Sequence, residues 1–410
     1  MPVFPFFSSS SFARESLSLD ADERAQMVDF LQRLVRTPSP STQESAVAQL
    51  IEQELRRIGM EDVRIDRAGN VIARIGDPTG PTLLYDAHMD TVEPASGPWP
   101  HPPYEAVIED GVLYGLGAAD AKGSIAAMVY AAKRLVESRI DLDGSLLLAF
   151  VVQQEPCEGC ALKVLVEEEG IKPDWVVLGD PSDLQIMRGQ RGRVLFKVTV
   201  HGKSAHASNP ALGRNAITAA ARLIFGIDLL AADLPGDPFL GPGDIAVTGI
   251  ESDSPGLNAI PDRCIFYVDR RLTLGETAIR AQTQIEAIIE REGIKADVEI
   301  VNYTVPSYTG YPFDAREAFH AWALDEEHEL LRALVAAMRH VGERTPTVGH
   351  WTFSTDGVYS MGEMNIPTVG FGPGEPRYVH TVDEQVRLDD VARAAQVYAL
   401  LAAQMLSRKG

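Results

Sequence analysis

His88 and Asp90, two positions apart, are the residues of this sequence best placed to do chemistry. They follow a short apolar stretch at 83–85, which itself comes after Gly80 and Pro81. This pattern predicts a buried strand. In α/β sheets, ligand and metal sites form at the carboxyl ends of strands. A neutral imidazole is a common zinc ligand, and its second ring nitrogen usually donates to a carboxylate, here that of Asp90. Because an isolated pair of this kind is more often an ordinary turn histidine, its role depends on the rest of the chain.

Further acidic and imidazole residues follow predicted strands or lie in glycine-rich turns; they are Asp120, Glu155, Asp180 and His380. Together with His88 they make two histidines and three carboxylates. This is a ligand set for two divalent ions such as zinc, which accepts nitrogen and oxygen ligands. Each acid taken singly is more often a helix cap or a solvated loop residue. Their common position at strand ends makes a metal site the favoured interpretation.

The hydrophobic pattern predicts the elements that position these residues. Helical spacing predicts helices at 20–36 and 41–58, the second opened by a capping box of Ser41 and Glu44. A continuous apolar run at 145–152 predicts a central strand buried on both faces. Strands and helices alternate in this part of the chain, which is typical of an α/β domain.

A second pattern begins after the arginine-rich stretch at 188–193. Four strands and two long helices between 194 and 301 predict a self-contained α+β unit. The chain then returns to helices at 326–341 and 388–406. We therefore predict a main domain in two parts, residues 1–187 and 306–410, interrupted by a smaller domain at residues 188–305.

Composition excludes several classes of protein. The 410 residues carry a formal net charge of −21, and no basic cluster marks a nucleic-acid surface. The N-terminal residues 1–12 lack a basic start and are too short to span a bilayer, so we expect no signal peptide and a frayed tail. We expect a cytoplasmic protein that binds neither nucleic acid nor membrane.

The cysteines support the same compartment. There are three, too few for a disulfide framework and compatible with a reducing cytoplasm. Cys157 and Cys160 have the spacing of a redox or zinc motif. A zinc ribbon would need a second such pair, so we assign this one no special role.

Four longer stretches complete the pattern, at residues 152–159 (VQQEPCEG), 188–193 (RGQRGR), 351–357 (WTFSTDG) and 371–374 (FGPG). With the residues above, they resemble the dinuclear-zinc amidohydrolase and peptidase family that includes acetylornithine deacetylase, succinyl-diaminopimelate desuccinylase, aminoacylase and carboxypeptidase G. The resemblance covers nearly the whole chain. It is closest to the selenium-metabolism hydrolase branch, which does not fix a substrate.

The resemblance implies an α/β, zinc-exopeptidase-like catalytic domain with a mixed central sheet, interrupted by a ferredoxin-like α+β domain that acts as a lid and forms a homodimer. It implies two divalent ions, zinc first, with cobalt or manganese as alternatives. Asp120 bridges the two ions, a geometry in which both act on one water. The family also has a cis peptide bond after this aspartate. The ligands of one ion are His88, Asp120 and Asp180, and those of the other are Asp120, Glu155 and His380.

The resemblance also implies residues that contact the substrate. His206 matches a histidine that enters the partner subunit's site and stabilises the tetrahedral oxyanion, together with Ser354. Asn258 and Arg271 match positions that hold the substrate's carboxylate, a task that suits a planar guanidinium. Arg191 and Arg270 are alternatives for that task.

Gln154 departs from the family pattern. The family usually has two adjacent glutamates here, a general base and then a metal ligand, whereas this chain has Gln154 and Glu155. Glutamine can orient a water but cannot accept its proton, a step worth about 10²- to 10⁴-fold in rate. Three explanations stay open: the zinc ions acidify the water sufficiently without a base, Glu158 replaces the base, or turnover is impaired.

The predicted function is metal-dependent hydrolysis of a C–N amide-type bond in a small N-acyl, N-carbamoyl or peptidyl amino acid by hydroxide bound to two zinc ions. The alternative enzymes are a di- or aminopeptidase and a mononuclear exopeptidase that does not dimerise. The alternative of another class, motivated by Gln154, is a metal- or ligand-binding homologue with impaired catalysis.

Overall fold

The computed structural model describes residues 17–138, 140–254, 256–343 and 345–407. The predicted tail at residues 1–12 lies outside this part of the chain. Among the described residues, no helix is long and apolar enough to cross a bilayer.

A mixed sheet of nine strands forms the centre of the larger part of the molecule. The order of eight strands is β1-β2-β6-β3-β7-β20-β8-β18, and β19 pairs with β8 at the side. The prediction of an α/β fold with a mixed central sheet is confirmed. The nine strands are β1 (Asp62–Ile65), β2 (Val71–Gly76), β3 (Thr82–His88), β6 (Ser145–Val151), β7 (Trp175–Leu178), β8 (Ile186–Gln190), β18 (Trp322–Ala323), β19 (Val348–Trp351) and β20 (Thr368–Gly370).

The centre of this sheet is parallel. Strand β3 pairs in parallel with both β6 and β7, and β7 pairs in parallel with β20. Every residue of β3 and of β6 is buried, which explains their continuous apolar sequences. Because parallel strands point the same way, the residues that follow β3, β6, β7 and β20 all emerge at one edge.

Helices cover the sheet and share its core. Helices α3 and α9 pack on each other and both contact β3 and β6, and α9 also contacts α7. Asp20 and Glu23 form a capping box at the start of α1, with both hydrogen bonds at 2.9 Å. The helices around this sheet are α1 (Ala21–Arg36), α2 (Ser45–Arg57), α3 (Gly123–Ser138), α4 (Cys160–Lys163), α7 (Glu329–His340), α8 (Gly357–Ser360) and α9 (Leu388–Leu406).

The capping box predicted at Ser41 and Glu44 is not formed. Helix α2 begins after Glu44, whose side chain makes no cap hydrogen bond. The Ser41 hydroxyl instead donates to Asp90 at 2.7 Å. The sequence motif predicts a local helix cap, but in the folded chain these side chains bind residues that follow the ends of β3 and β6.

A second sheet has its own hydrophobic core. Its order is β12-β13-β9-β14, with β17 pairing with β9, and helices α5 and α6 pack on it and on each other. Phe196, Leu223, Phe266 and Ile285 are among its buried residues. The elements of this unit are β9 (Gly192–His201), α5 (Ala216–Leu230), β12 (Asp244–Asp253), β13 (Arg263–Leu272), α6 (Ala278–Glu292), β14 (Ala296–Ile300) and β17 (Ala318–Phe319).

The domain limits at 188 and 305 stay predictions. Strand β8 continues to Gln190 in the large sheet, while β17 lies after residue 306 and pairs with the smaller sheet. Short strands complete the chain: β4 (Val107–Glu109), β5 (Val112–Tyr114) and β21 (Gln385–Arg387) form a three-stranded sheet, β10 (Gly236–Asp237) pairs with β11 (Gly241–Pro242), and β15 (Asn302–Tyr303) pairs with β16 (Ala315–Arg316).

Candidate metal centre

The five predicted metal ligands come together at the carboxyl edge of the parallel strands. They form two groups that share Asp120: one with His88 and Asp180, the other with Glu155 and His380. Within each group, one nitrogen or oxygen atom per residue lies within 4.8 Å of the others. His88 ends β3, while Glu155 and Asp180 follow β6 and β7, so the strand order explains this meeting.

The distances place Asp120 between the two histidines. Its Oδ1 lies 2.9 Å from His88 Nε2, and its Oδ2 lies 3.6 Å from His380 Nε2. His380 Nε2 also lies 3.0 Å from Glu155 Oε1. His88 is buried, whereas the His380 side chain is 46% exposed, so the second group faces the solvent.

The electrostatics of the two groups favour bound cations. Burial raises the pKa of Asp180 well above its usual range, and burial also raises the pKa of Glu155 although His380 opposes the shift. Burial lowers the pKa of His88, but the charges of Asp120 and Asp90 and the hydrogen bonds to them together outweigh it and raise this pKa well above the usual value. Carboxylates held this close are stabilised by positive charge. The carboxylate oxygens and histidine nitrogens of the two groups are ligand atoms that fit two ions of the zinc type.

The turn that carries Asp120 is fixed by Glu384. The Asp120–Ala121 peptide bond is cis, as the family resemblance implies. The buried Glu384 carboxylate accepts hydrogen bonds from the Ala119 and Asp120 amides at 3.0 and 3.1 Å. A side chain at Gly374 would collide with the Ala119 carbonyl, so glycine allows the loop after β20 to lie against this turn.

Asp90 organises the end of β3 in a different way from the prediction. His88 Nδ1 lies 3.0 Å from the main-chain carbonyl of Asp90 and 3.5 Å from its carboxylate, so the carbonyl is the nearer partner. The buried carboxylate accepts from the amides of Gln154 and Glu155 at 3.0 and 3.2 Å, and from Ser41. Asp90 therefore connects the His88 strand to the loop that carries Glu155.

Side-chain oxygens bind four consecutive amides in that loop. Besides the two amides on Asp90, the Val152 amide donates to Asn70 Oδ1 at 3.0 Å and the Gln153 amide donates to Glu44 Oε1 at 3.2 Å. Gln153 has a positive φ of 53°, which is uncommon for a residue other than glycine. The position of Glu155 thus depends on polar side chains from other elements.

Gln154 and Glu158 both have hydrogen-bond partners. Gln154 Nε2 donates to Asp180 Oδ1 at 3.1 Å, so the glutamine lies beside a metal ligand. The Ser354 hydroxyl donates to Glu158 Oε1 at 2.5 Å, and Arg193 Nη1 lies 3.6 Å from Glu158 Oε2. Glu158 is thus engaged with Ser354 and Arg193 rather than with the five ligands.

The arginines differ in availability. Arg270 is 1% exposed and pairs with Glu276 at 2.5 Å. It is therefore not available to bind the carboxylate of a substrate. Arg271 donates to Asp269 at 2.7 Å and stays partly exposed. Arg191 donates to the Pro242 carbonyl at 3.1 Å; burial lowers its pKa and the charge of the nearby Arg271 lowers it further, with Asp244 opposing.

His206 and Asn258 lie together on neighbouring loops of the smaller sheet. His206 forms an isolated β-bridge with Ala259, and the Ala207 amide donates to the Asn258 carbonyl at 2.8 Å. Both side chains are exposed. Within the described part of the chain, neither makes a hydrogen bond to the five metal ligands.

Cys157 and Cys160 are joined in a disulfide, a pairing to which the sequence analysis assigned no role. Cys264 is buried and free. Cys157 lies in the turn after Glu155 and Cys160 begins helix α4, so the disulfide joins this loop to the helix.

Sequence reasoning missed the residues that hold the loops. The sequence analysis singles out neither Glu384 nor Asn70, and the spacing of Ser41 and Glu44 predicts only a helix cap. The one available signal was the spacing of Glu384, four residues after His380 in a glycine- and proline-containing loop. Neither Glu44 nor Asn70 has a sequence pattern that distinguishes it from an ordinary polar residue.

Two candidate metal-ligand groups at the parallel strand ends of a mixed sheet fit a metal-dependent enzyme. The chain belongs to Peptidase family M20/M25/M40, whose profile matches residues 84–404. This family assignment agrees with the resemblance found in the sequence.

Individual relatives cover nearly the whole chain. YgeY of Escherichia coli strain K12, described as an uncharacterized protein, is 37% identical over 382 residues, which cover 93% of this chain and 94% of YgeY. A succinyl-diaminopimelate desuccinylase of Marinobacter nauticus is 30% identical over 393 residues, covering 91% and 97% of the two chains. An M20 family metallo-carboxypeptidase from Sulfolobus solfataricus has the same fold, with a TM-score of 0.74 at 17% identity over 94% of this chain and 99% of the other.

The buried Glu44 predicts how the folding stability of the protein depends on pH. Burial raises the pKa of Glu44 to about 7 from its ordinary 4.5, and the charge of Asp90 adds to the shift. As pH rises, the unfolded chain therefore loses this proton first, and stability falls between about pH 4.5 and pH 7, by about 3 kcal/mol. Glu44→Gln removes this loss, so in urea titrations of metal-free protein the variant gains stability relative to the unmodified protein as pH rises through that window.

Glu54→Gln is the matched control for this measurement. Burial raises the pKa of Glu54, but hydrogen bonds from Arg57 and Arg33 outweigh it and the net shift is downward. Its carboxylate therefore stabilises the fold above its ordinary pKa, and the variant loses stability at neutral pH. If the free energy of unfolding of both variants depended on pH in the same way, Glu44 would not be protonated in the folded protein.

Proposed function

We propose that this protein is a metal-dependent hydrolase that cleaves a C–N amide-type bond in a small N-acyl, N-carbamoyl or peptidyl amino acid. The observation that carries the proposal is the pair of ligand groups sharing Asp120, with His88 and His380 on opposite sides. When bound, two zinc ions would polarise the scissile carbonyl and lower the pKa of the attacking water. Cobalt or manganese are the alternative ions.

The remaining roles fall to residues around these ligands. Glu384 and Asp90 hold the loops of Asp120 and Glu155 through backbone amides. Gln154, beside Asp180, orients the water. Arg271, or Arg191 next to it, binds the substrate's carboxylate, because a guanidinium forms two parallel hydrogen bonds to such a group.

One relative favours an acyl amino acid as substrate. The 30% identical relative is named as a desuccinylase, which removes an acyl group. Membership of the selenium-metabolism branch is part of the proposal and rests on the four motifs at 152–159, 188–193, 351–357 and 371–374. We also propose a cytoplasmic location and the division of the chain at residues 188 and 305.

We further propose that residues 188–305 form a lid that dimerises. Apolar side chains on α5 and on the edge strand β12 are exposed, and they border a groove of about 560 Å³. An edge strand with such neighbours is a surface that association would cover. In a dimer, His206 and Asn258 would come from the partner. The most exposed residues of this surface are Phe225, Leu229 and Ile250, at 63%, 55% and 57%.

A second candidate is a metal-binding homologue without turnover. Gln154 favours it, because an amide cannot take the proton of the water. The hydrogen bond between Ser354 and Glu158 also favours it, because it occupies the carboxylate that could replace the missing base.

Metal analysis and a substrate panel test the proposal. Dialysed protein is expected to retain two zinc ions per chain and to hydrolyse at least one of a set of N-acetyl, N-succinyl and N-carbamoyl amino acids or dipeptides. His88→Ala and His380→Ala should each lower the metal content. Two retained ions with no turnover on any compound would select the second candidate, and protein without metal affinity would contradict both.

Gln154→Glu tests the missing base. The variant restores a proton acceptor beside Asp180, so turnover should rise by about 10²-fold or more. The measurement is kcat on the compound of the panel that reacts, at full metal loading. Gln53→Glu adds the same charge at an exposed position of helix α2 and should leave kcat unchanged. An unchanged or lower rate for Gln154→Glu means that position 154 does not act on the water.

Phe225→Asp tests the dimer. A charge on the exposed face of α5 should yield monomers in light scattering, and activity should fall by about 10²- to 10³-fold because an oxyanion donor from the partner is lost. Ile279→Asp is the control, since this exposed residue lies on α6, which contacts β14 at the opposite edge of the sheet. A monomeric variant with full activity would refute a contribution from the partner.

A further inference from the structure

Glu44 belongs to the scaffold of the metal centre, although nothing in its sequence neighbourhood indicates this. It is fully buried between helix α2 and the loop that follows β6. Its Oε1 accepts hydrogen bonds from the Thr42 amide at 3.0 Å and from the Gln153 amide at 3.2 Å. No hydrogen-bond partner of its Oε2 is found among the described residues.

The two amides on Glu44 come from residues with unfavourable backbone conformations. Thr42 has a φ of 77° and Gln153 a φ of 53°. Left-handed conformations of residues other than glycine cost free energy and persist where the surroundings enforce them. Glu44 Oε1 provides such a contact, because it accepts hydrogen bonds from the amides of both Thr42 and Gln153.

Gln153 is also the link between this loop and the chain that returns from the smaller sheet. Its side-chain amide donates to the Pro306 carbonyl at 3.0 Å, while its main-chain amide is held by Glu44. The next residues are Gln154 and Glu155. The backbone position of Gln153 therefore sets where the loop turns before it reaches the metal ligand.

The two ligand groups depend on this loop to different degrees. His88 is the last residue of β3, and Asp180 follows β7 by two positions, so the central sheet holds both. Glu155 lies beyond β6 and is held by the amide contacts of residues 152–155 and by His380, which is itself in a loop with a φ of 61°. Loss of a loop contact should affect the group of Glu155 and His380 first.

We propose that Glu44 is a positioning residue for the metal ion held by Asp120, Glu155 and His380. The inference rests on the proposed two-metal function. Glu44 acts through the main chain of Gln153 and does not touch the ion or the substrate. Outer-shell partners of metal ligands typically change metal affinity by about 10- to 100-fold when they are removed.

The test is a metal titration of four variants of the full chain. Glu44→Ala removes the acceptor, Glu44→Asp shortens it, Glu44→Gln keeps an acceptor oxygen at the same distance, and Glu54→Ala removes a different buried glutamate from helix α2. Each variant is titrated with cobalt(II), whose visible absorption reports coordination, and with zinc(II) by calorimetry. His380→Ala provides the spectrum of protein that lacks this ion.

Glu44→Ala and Glu44→Asp should bind the first ion normally and the second about 10-fold or more weakly. Their cobalt spectra at one equivalent should match that of His380→Ala. Glu44→Gln should restore the second affinity to within about threefold, and Glu54→Ala should keep both affinities. If Glu44→Ala does not fold, Glu44→Asp decides the question by the same criterion.

The outcomes separate this inference from the proposed function. If Glu44→Ala or Glu44→Asp bound both ions with the affinities of the unmodified protein, the positioning role would be wrong and the two-metal proposal would stand. Equal weakening of both ions would also overturn it, because that result indicates a general loss of structure. An unmodified protein that binds fewer than two ions would instead refute the proposed function itself.

Discussion

Burial of many carboxylates at one edge of a sheet is the constraint on which this structure depends. Asp120, Glu155 and Asp180 form an inner layer where the parallel strands end, and Glu44, Asp90 and Glu384 form an outer layer that holds the neighbouring loops. A buried carboxylate is costly unless hydrogen-bond donors or positive charge compensate it. The structure offers both kinds of compensation, in two layers.

The protein compensates the outer layer, Glu44, Asp90 and Glu384, only in part: backbone amides donate to each, yet burial still raises the pKa of Glu44 to about 7 and that of Glu384 to about 8. Glu384 receives two backbone amides, Asp90 receives two, and Glu44 receives two, so these carboxylates fix the loops that they touch. The inner layer of Asp120, Glu155 and Asp180 has the two histidines and Gln154 as its near partners. This difference gives the two layers different tasks: the outer one holds the backbone, and the inner one presents donors suited to cations.

The chain order of these residues follows from the same geometry. Parallel strands need long connections, so residues that are neighbours at the sheet edge are far apart in sequence. His88 and His380 are almost three hundred positions apart and both face Asp120. The smaller sheet is inserted between β8 and the strands that complete the large sheet, which places Arg191 and Arg271 close to the junction.

The sequence by itself determined the elements and the inner ligands. Apolar periodicity located nearly all the long helices and strands, because burial on one or both faces leaves a local pattern, and the donor types at strand ends together with the family motifs indicated the metal ligands. Tertiary structure alone decided the outer layer. Ser41 and Glu44 have the spacing of a helix cap, yet they bind Asp90 and Gln153, because the fold brings them against the loops that follow β3 and β6. It also decided that Arg270 is buried in an ion pair while Arg271 stays accessible, since adjacent residues of a strand face opposite sides of the sheet. Local spacing encodes secondary structure, whereas hydrogen-bond partners depend on which distant segments the sheet brings together.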